Sequence, residues 1–114
     1  MKLHHIGYEV RHLPQSIRYF TQNFGFQIEK ELFFQGEEIT FLKKQNTRIE
    51  LIKHSSQLVN PNVHFCFEIE NLQEELQRTG ITPLEGPYWI EQEKWLTVFV
   101  EGPQKTILEL LQQK

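Results

Sequence analysis

Two histidines and two glutamates recur in this chain at one spacing: 59 positions separate His5 from His64, and 59 separate Glu50 from Glu109. Each alternates with apolar neighbours. Ile6 follows His5, Ile49 and Leu51 flank Glu50, Val63 and Phe65 flank His64, and Leu108 and Leu110 flank Glu109. Brought together, two imidazoles and two carboxylates offer nitrogen and oxygen ligands and no thiolate. Such a set suits Ni, Zn, Co, Mn or Fe in an open site rather than a structural zinc cage, which favours cysteine. One divalent ion held by four protein ligands keeps two of six positions for a small-molecule substrate with adjacent oxygens. Its charge stabilises negative charge that develops on a bound oxygen. A carboxylate in reach can act as a general base.

The elements that must position these residues follow from pattern. Leu3 to Val10 reads as a strand. Leu13, Ile17, Phe20 and Phe24 then form a helical stripe, with Pro14 in the first turn and Gly25 past the end. Phe26 to Phe34, Glu38 to Lys43 and Arg48 to Lys53 read as strands, turning at Gly36 and Gln45-Asn46. The β-α-β-β-β order then recurs. Asn62 to Ile69 is a strand, Asn71 with Glu74 caps a shorter helix closed by Gly80, and Ile81 to Leu84, Trp95 to Glu101 and Thr106 to Leu111 complete the set. Ser55 to Pro61 is the polar link. The 59-residue offset also relates Glu9 to Glu68, Val10 to Ile69, Leu13 to Leu72, Ile17 to Leu76 and Thr47 to Thr106.

Strand parity assigns the faces. His5, Gly7 and Glu9 oppose Ile6, Tyr8 and Val10, while His64, Cys66 and Glu68 oppose Phe65, Phe67 and Ile69. Each module therefore has an apolar face for its helix and a polar face with one His and one Glu. The expected fold is α+β: a single domain of 114 residues in which two βαβββ modules, about 1–54 and 62–114, pair into a curved, mostly antiparallel sheet around a metal cleft. His4 shares the face of Ile6 and reads as structural. His12 and His54 fall in connections and read as solvated, and Cys66 reads as a packed thiol. Glu85 to Trp95, rich in aromatics, reads as a loop that forms a lip over the cleft.

Composition narrows the function classes. Twelve Lys plus Arg stand against 15 Asp plus Glu, for a net charge of −3 with no basic block, which argues against nucleic acid as a partner. A single cysteine excludes an internal disulfide framework. No apolar run approaches the ~20 residues of a membrane span, and the first residues lack a signal-peptide pattern, so a cytoplasmic protein is expected.

The segments Leu3-His4-His5-Ile6-Gly7, Thr47-Arg48-Ile49-Glu50-Leu51-Ile52, Val63-His64-Phe65-Cys66-Phe67-Glu68 and Ile107-Leu108-Glu109-Leu110-Leu111 resemble the four signature strands of the vicinal oxygen chelate superfamily. That superfamily includes glyoxalase I, methylmalonyl-CoA epimerase, extradiol dioxygenases, fosfomycin-resistance enzymes and bleomycin-binding proteins. The resemblance implies His5, Glu50, His64 and Glu109 as metal ligands, with Glu109 first and Glu50 second as the carboxylates that move the proton. A glutamate at the place of Glu50 is similar to glyoxalase I and to the epimerases, which commonly have Gln or Glu there, whereas the dioxygenases and fosfomycin-resistance enzymes use no ligand there. It implies a metal-dependent lyase or isomerase of the glyoxalase I type, acting through an enediolate. A methylmalonyl-CoA epimerase-like isomerase is the nearest alternative, and a metal-free small-molecule-binding protein is the alternative of another class. Glu101-Gly102-Pro103-Gln104 departs from the Asp-Pro-Asp-Gly turn of many glyoxalases and from the His-containing stretch of epimerases. Relatives of this length resemble dimers. Leu32-Phe33-Phe34, apolar on both faces of a strand, suits burial by a partner, so a homodimer is expected.

Overall fold

The helix expected after Val10 forms over Leu13–Phe24 (α1) in the computed structural model, which describes residues 1–54 and 63–114. The expected link Ser55 to Pro61, and Asn62, lie outside the described residues. Pro14 sits in the first turn of α1, where a missing N–H costs no helical bond. Gly25, at φ 75°, ends the helix, with its N–H turned back to the Thr21 carbonyl and the Phe26 N–H to the Phe20 carbonyl. The other elements of this half are β1 (Lys2–Glu9), β2 (Gln27–Phe34), β3 (Glu37–Lys44) and β4 (Thr47–His54).

Two compact units result: His5–Val63, and Met1–His4 together with His64–Lys114. In the first unit the strands run in the order β2-β3-β4-β1, with β2, β3 and β4 antiparallel and β1 parallel to β4. Leu13, Leu42, Ile49 and Leu51 form its buried core, with Ile17, Phe20 and Phe26 packed against them. Phe24 departs from the expected stripe. It lies in the last turn of α1, half exposed, edge-on to Tyr19 rather than on the sheet.

The second unit repeats the plan with β5 (Val63–Glu68), α2 (Leu72–Thr79), β6 (Glu85–Ile90), β7 (Trp95–Glu101) and β8 (Ile107–Gln113). Its order is β5-β8-β7-β6, with β5 parallel to β8 and the other pairs antiparallel. The Asn71 side chain caps α2 by accepting the Glu74 N–H at 3.0 Å. Leu72 buries that helix against Ile69, Val98, Val100 and Leu110. The α+β class and the doubled βαβββ order are therefore as expected. His4 belongs to this unit and is buried, edge-on to Trp95 with ring centroids 4.9 Å apart.

The expected strand at Ile81 to Leu84 is not there, and the segment expected to be a loop, Glu85 to Ile90, is the strand β6. Tyr88, Trp89 and Ile90 favour a strand. The Gly86-Pro87 pair that suggested a loop is absorbed by an irregularity between Glu85 and Tyr88 on this edge strand, where proline's missing donor is tolerated. Gly86 has φ 93°, and a Cβ there would meet the Thr97 carbonyl oxygen at 2.9 Å, so the position requires glycine. No helix among the described residues is long and apolar enough to cross a membrane.

A bulge in β2 ties the first unit's outer strand to the strand that carries Glu50. Register slips between Ile28 and Lys30, leaving Glu29 as the extra residue. Its carboxylate reaches across β3 to accept Arg48 Nε at 2.8 Å and Nη2 at 3.0 Å. Those bonds, opposed by burial, hold the Glu29 carboxyl below its ordinary value of 4.5. A carboxyl depressed on folding contributes stability above its unfolded pKa and loses it as pH falls through the folded value. Glu29→Gln should therefore cost about 0.5–1 kcal/mol at pH 7. Urea unfolding should show the gap closing as pH drops through Glu29's folded value, and a gap constant down to acid pH would show that the ion pair contributes nothing.

Candidate metal centre

Register explains how each His meets a Glu. In the first unit Gly7 is opposite Glu50 on the parallel β1–β4 pair, and His5 is two residues earlier on the same face. Nε2 of His5 lies 3.2 Å from Oε1 of Glu50, and His5 is 1% exposed. In the second unit Cys66 is opposite Glu109 on the parallel β5–β8 pair, two residues after His64. Nε2 of His64 lies 3.1 Å from Oε1 of Glu109, again with both side chains buried. The structure thus brings together His5 with Glu50 in one unit and His64 with Glu109 in the other.

These spacings suit a shared ion. Two ligands each about 2.0–2.2 Å from one metal and at right angles to each other lie about 3 Å apart. An imidazole nitrogen and a carboxylate oxygen already face each other at that separation in each unit. The donor chemistry agrees, because neutral imidazole and carboxylate suit divalent transition metals.

Beside each pair lies a phenylalanine ring that the sequence did not single out. Phe41 is opposite Glu50 in register, and its ring meets that of His5 edge-on at 5.3 Å. Phe99 is opposite Glu109, and its ring meets that of His64 at 5.8 Å. Hydrocarbon beside the donors keeps water away and strengthens every charge interaction among them. The signal was present in the sequence, since each Phe lies on the strand next to its Glu and on the same face. Thr97 was also missed. Its Oγ1 is 2.7 Å from Oε2 of Glu109 and it is 1% exposed.

Cys66 is a buried, packed thiol, as expected. His12 is exposed at the start of α1. His54 corrects the expectation of a solvated connection. It ends β4 between two carboxylates, with Nε2 3.1 Å from Oε1 of Glu9 and Nδ1 3.0 Å from Oε2 of Glu37. Register makes the difference, because Glu37 is its partner on the neighbouring strand.

Comparison with known proteins gives the geometry a context. Residues 2–88 match the family model described as Glyoxalase/Bleomycin resistance protein/Dioxygenase superfamily. By sequence, the chain matches none of the curated proteins. Among solved structures it is similar to methylmalonyl-CoA epimerase from Mycobacterium tuberculosis, at 16% identity and TM-score 0.82 over 99% of this chain and 88% of that one. A variant of Streptomyces coelicolor methylmalonyl-CoA epimerase in complex with 2-nitronate-propionyl-CoA is similar at 14% identity and TM-score 0.82, over 99% and 97%. A hypothetical protein from Bacillus halodurans C-125 matches at 18% identity and TM-score 0.80, over 99% and 94%.

Proposed function

The chain belongs to the Glyoxalase/Bleomycin resistance protein/Dioxygenase superfamily, and from that premise we propose that it is a metal-dependent lyase or isomerase of the glyoxalase I type. In this reading the His5–Glu50 and His64–Glu109 pairs hold one divalent ion. The observation that carries it is the spacing of each pair, 3.2 and 3.1 Å between the nitrogen and oxygen that would face the metal. When bound, the ion supplies positive charge at the substrate's adjacent oxygens and so stabilises negative charge that develops there. Glu109 takes the proton from the carbon beside the carbonyl and returns it, and Glu50 is the opposing carboxylate. Phe41 and Phe99 keep water from the carbanion. Return of the proton to the neighbouring carbon is an isomerisation, and its return to the same carbon from the opposite face is an epimerisation.

A glutamate at position 50 fits both the glyoxalase and the epimerase types and speaks against the dioxygenase and fosfomycin-resistance types, which use no ligand there. The fold shared with methylmalonyl-CoA epimerases favours the epimerisation, with a CoA thioester as substrate. Assays with methylglyoxal plus several thiols, against methylmalonyl-CoA, separate the two. The third reading, a metal-free protein that sequesters a small molecule, is separated first. Protein purified without chelator should carry about one transition-metal ion per site by elemental analysis. A metal-free protein that also takes up no added Ni, Co or Zn would sink the enzyme reading.

Glu109→Gln keeps an oxygen for the metal and removes the base. Turnover of the confirmed substrate should fall by at least about a hundredfold, while metal content falls less. Wild-type turnover in this variant would take Glu109 out of the mechanism.

We also propose a cytoplasmic homodimer. Phe33, in the run apolar on both faces, is 66% exposed in the single chain. Light scattering at micromolar concentration should give about twice the 13.7 kDa chain mass, and a monomer that keeps its metal would refute the dimer. Mixing His5→Ala with Glu109→Ala protein then reads the pairing. Recovered activity means that each cleft takes one His–Glu pair from each chain, and no recovery means that each chain builds its own.

A further inference from the structure

We propose that Thr97 is a positioning residue for Glu109, an inference that rests on the metal-centre reading and extends it to a residue outside the four ligands. Thr97 lies in β7, and its hydroxyl has two acceptors in reach: Oε2 of Glu109 at 2.7 Å and the Leu110 carbonyl at 3.1 Å. It has one proton to give. The carboxylate is nearer and charged, so it is the stronger partner. Anchoring Oε2 settles the carboxylate's rotation and leaves Oε1, 3.1 Å from Nε2 of His64, as the oxygen offered to the ion. Oε1 would be the oxygen that faces an ion or takes a proton, and the bond from Thr97 to Oε2 would hold the side chain in place in either role. A buried carboxylate oxygen also requires a donor once water is excluded, and Thr97 supplies one.

The first unit does not repeat the device. Thr97 is opposite Leu111, two residues before Phe99, and the corresponding residue is Ile39, opposite Ile52 and two residues before Phe41. A hydroxyl therefore backs the second glutamate, where an alkyl side chain stands at the matching place behind the first. The hydroxyl is not a by-product of the doubled fold.

The test is calorimetric titration of apo-protein with Ni(II) or Co(II), which needs no substrate. Thr97→Val keeps the shape and strand preference and removes the donor. It should bind the ion about 10- to 100-fold more weakly, the usual effect of losing a partner behind a metal ligand. Thr97→Ser restores the hydroxyl and should bind within a few-fold of wild type, and Ile39→Val should bind as wild type does. In a Glu109→Gln background Thr97→Val should add little, because the charged acceptor is gone. Circular dichroism checks the fold, and Thr97→Ala replaces Thr97→Val if the latter does not fold. Equal affinity in wild type and Thr97→Val overturns the inference, as does Thr97→Ser binding as weakly as Thr97→Val. A wild-type protein that takes up neither ion overturns the metal centre itself.

Discussion

The pairing of Gly7 with Glu50, and of Cys66 with Glu109, decides which side chains share a face in each unit. Both pairings are parallel. A shift of one residue in either would turn the glutamate toward the helix and bring Ile49 or Leu110 to the polar face. What fixes the register is the other face. Ile49 and Leu51 must meet Leu13 and Leu42, and Leu110 must meet Leu72 and Val98. Core packing thus places the polar residues without touching them.

Burying an imidazole and a carboxylate is costly unless each finds a partner. In each unit the two supply one another, and among the described residues no fully buried side-chain nitrogen or oxygen is left without a hydrogen-bond partner.

Much of this was legible in the sequence because periodicity reports burial. Strand β7 has the expected bounds, and α1 and α2 follow their caps. The four-residue set stood out because both halves carry it at one spacing. What escaped were facts of register and tertiary context. Pro87 suggested a loop at β6, since sequence alone does not show that the strand is an edge able to absorb an irregularity. His54 looked solvated because Glu9 and Glu37 approach it only after the sheet forms. Thr97 looked like an ordinary strand threonine, and its position opposite Leu111 brings it to the glutamate two residues earlier.

The parallel pairing also bears on the order in which the chain folds. His5 and Glu50 are 45 residues apart, as are His64 and Glu109, while β3 follows β2 and β4 follows β3 through short turns. Short turns close at little entropic cost, and a parallel pair must wait for its crossover. Topology therefore favours the meanders β2-β3-β4 and β6-β7-β8 forming before β1 and β5 dock. In that order each histidine reaches its glutamate late, and an ion bound only by the native state would draw the chain into it by mass action.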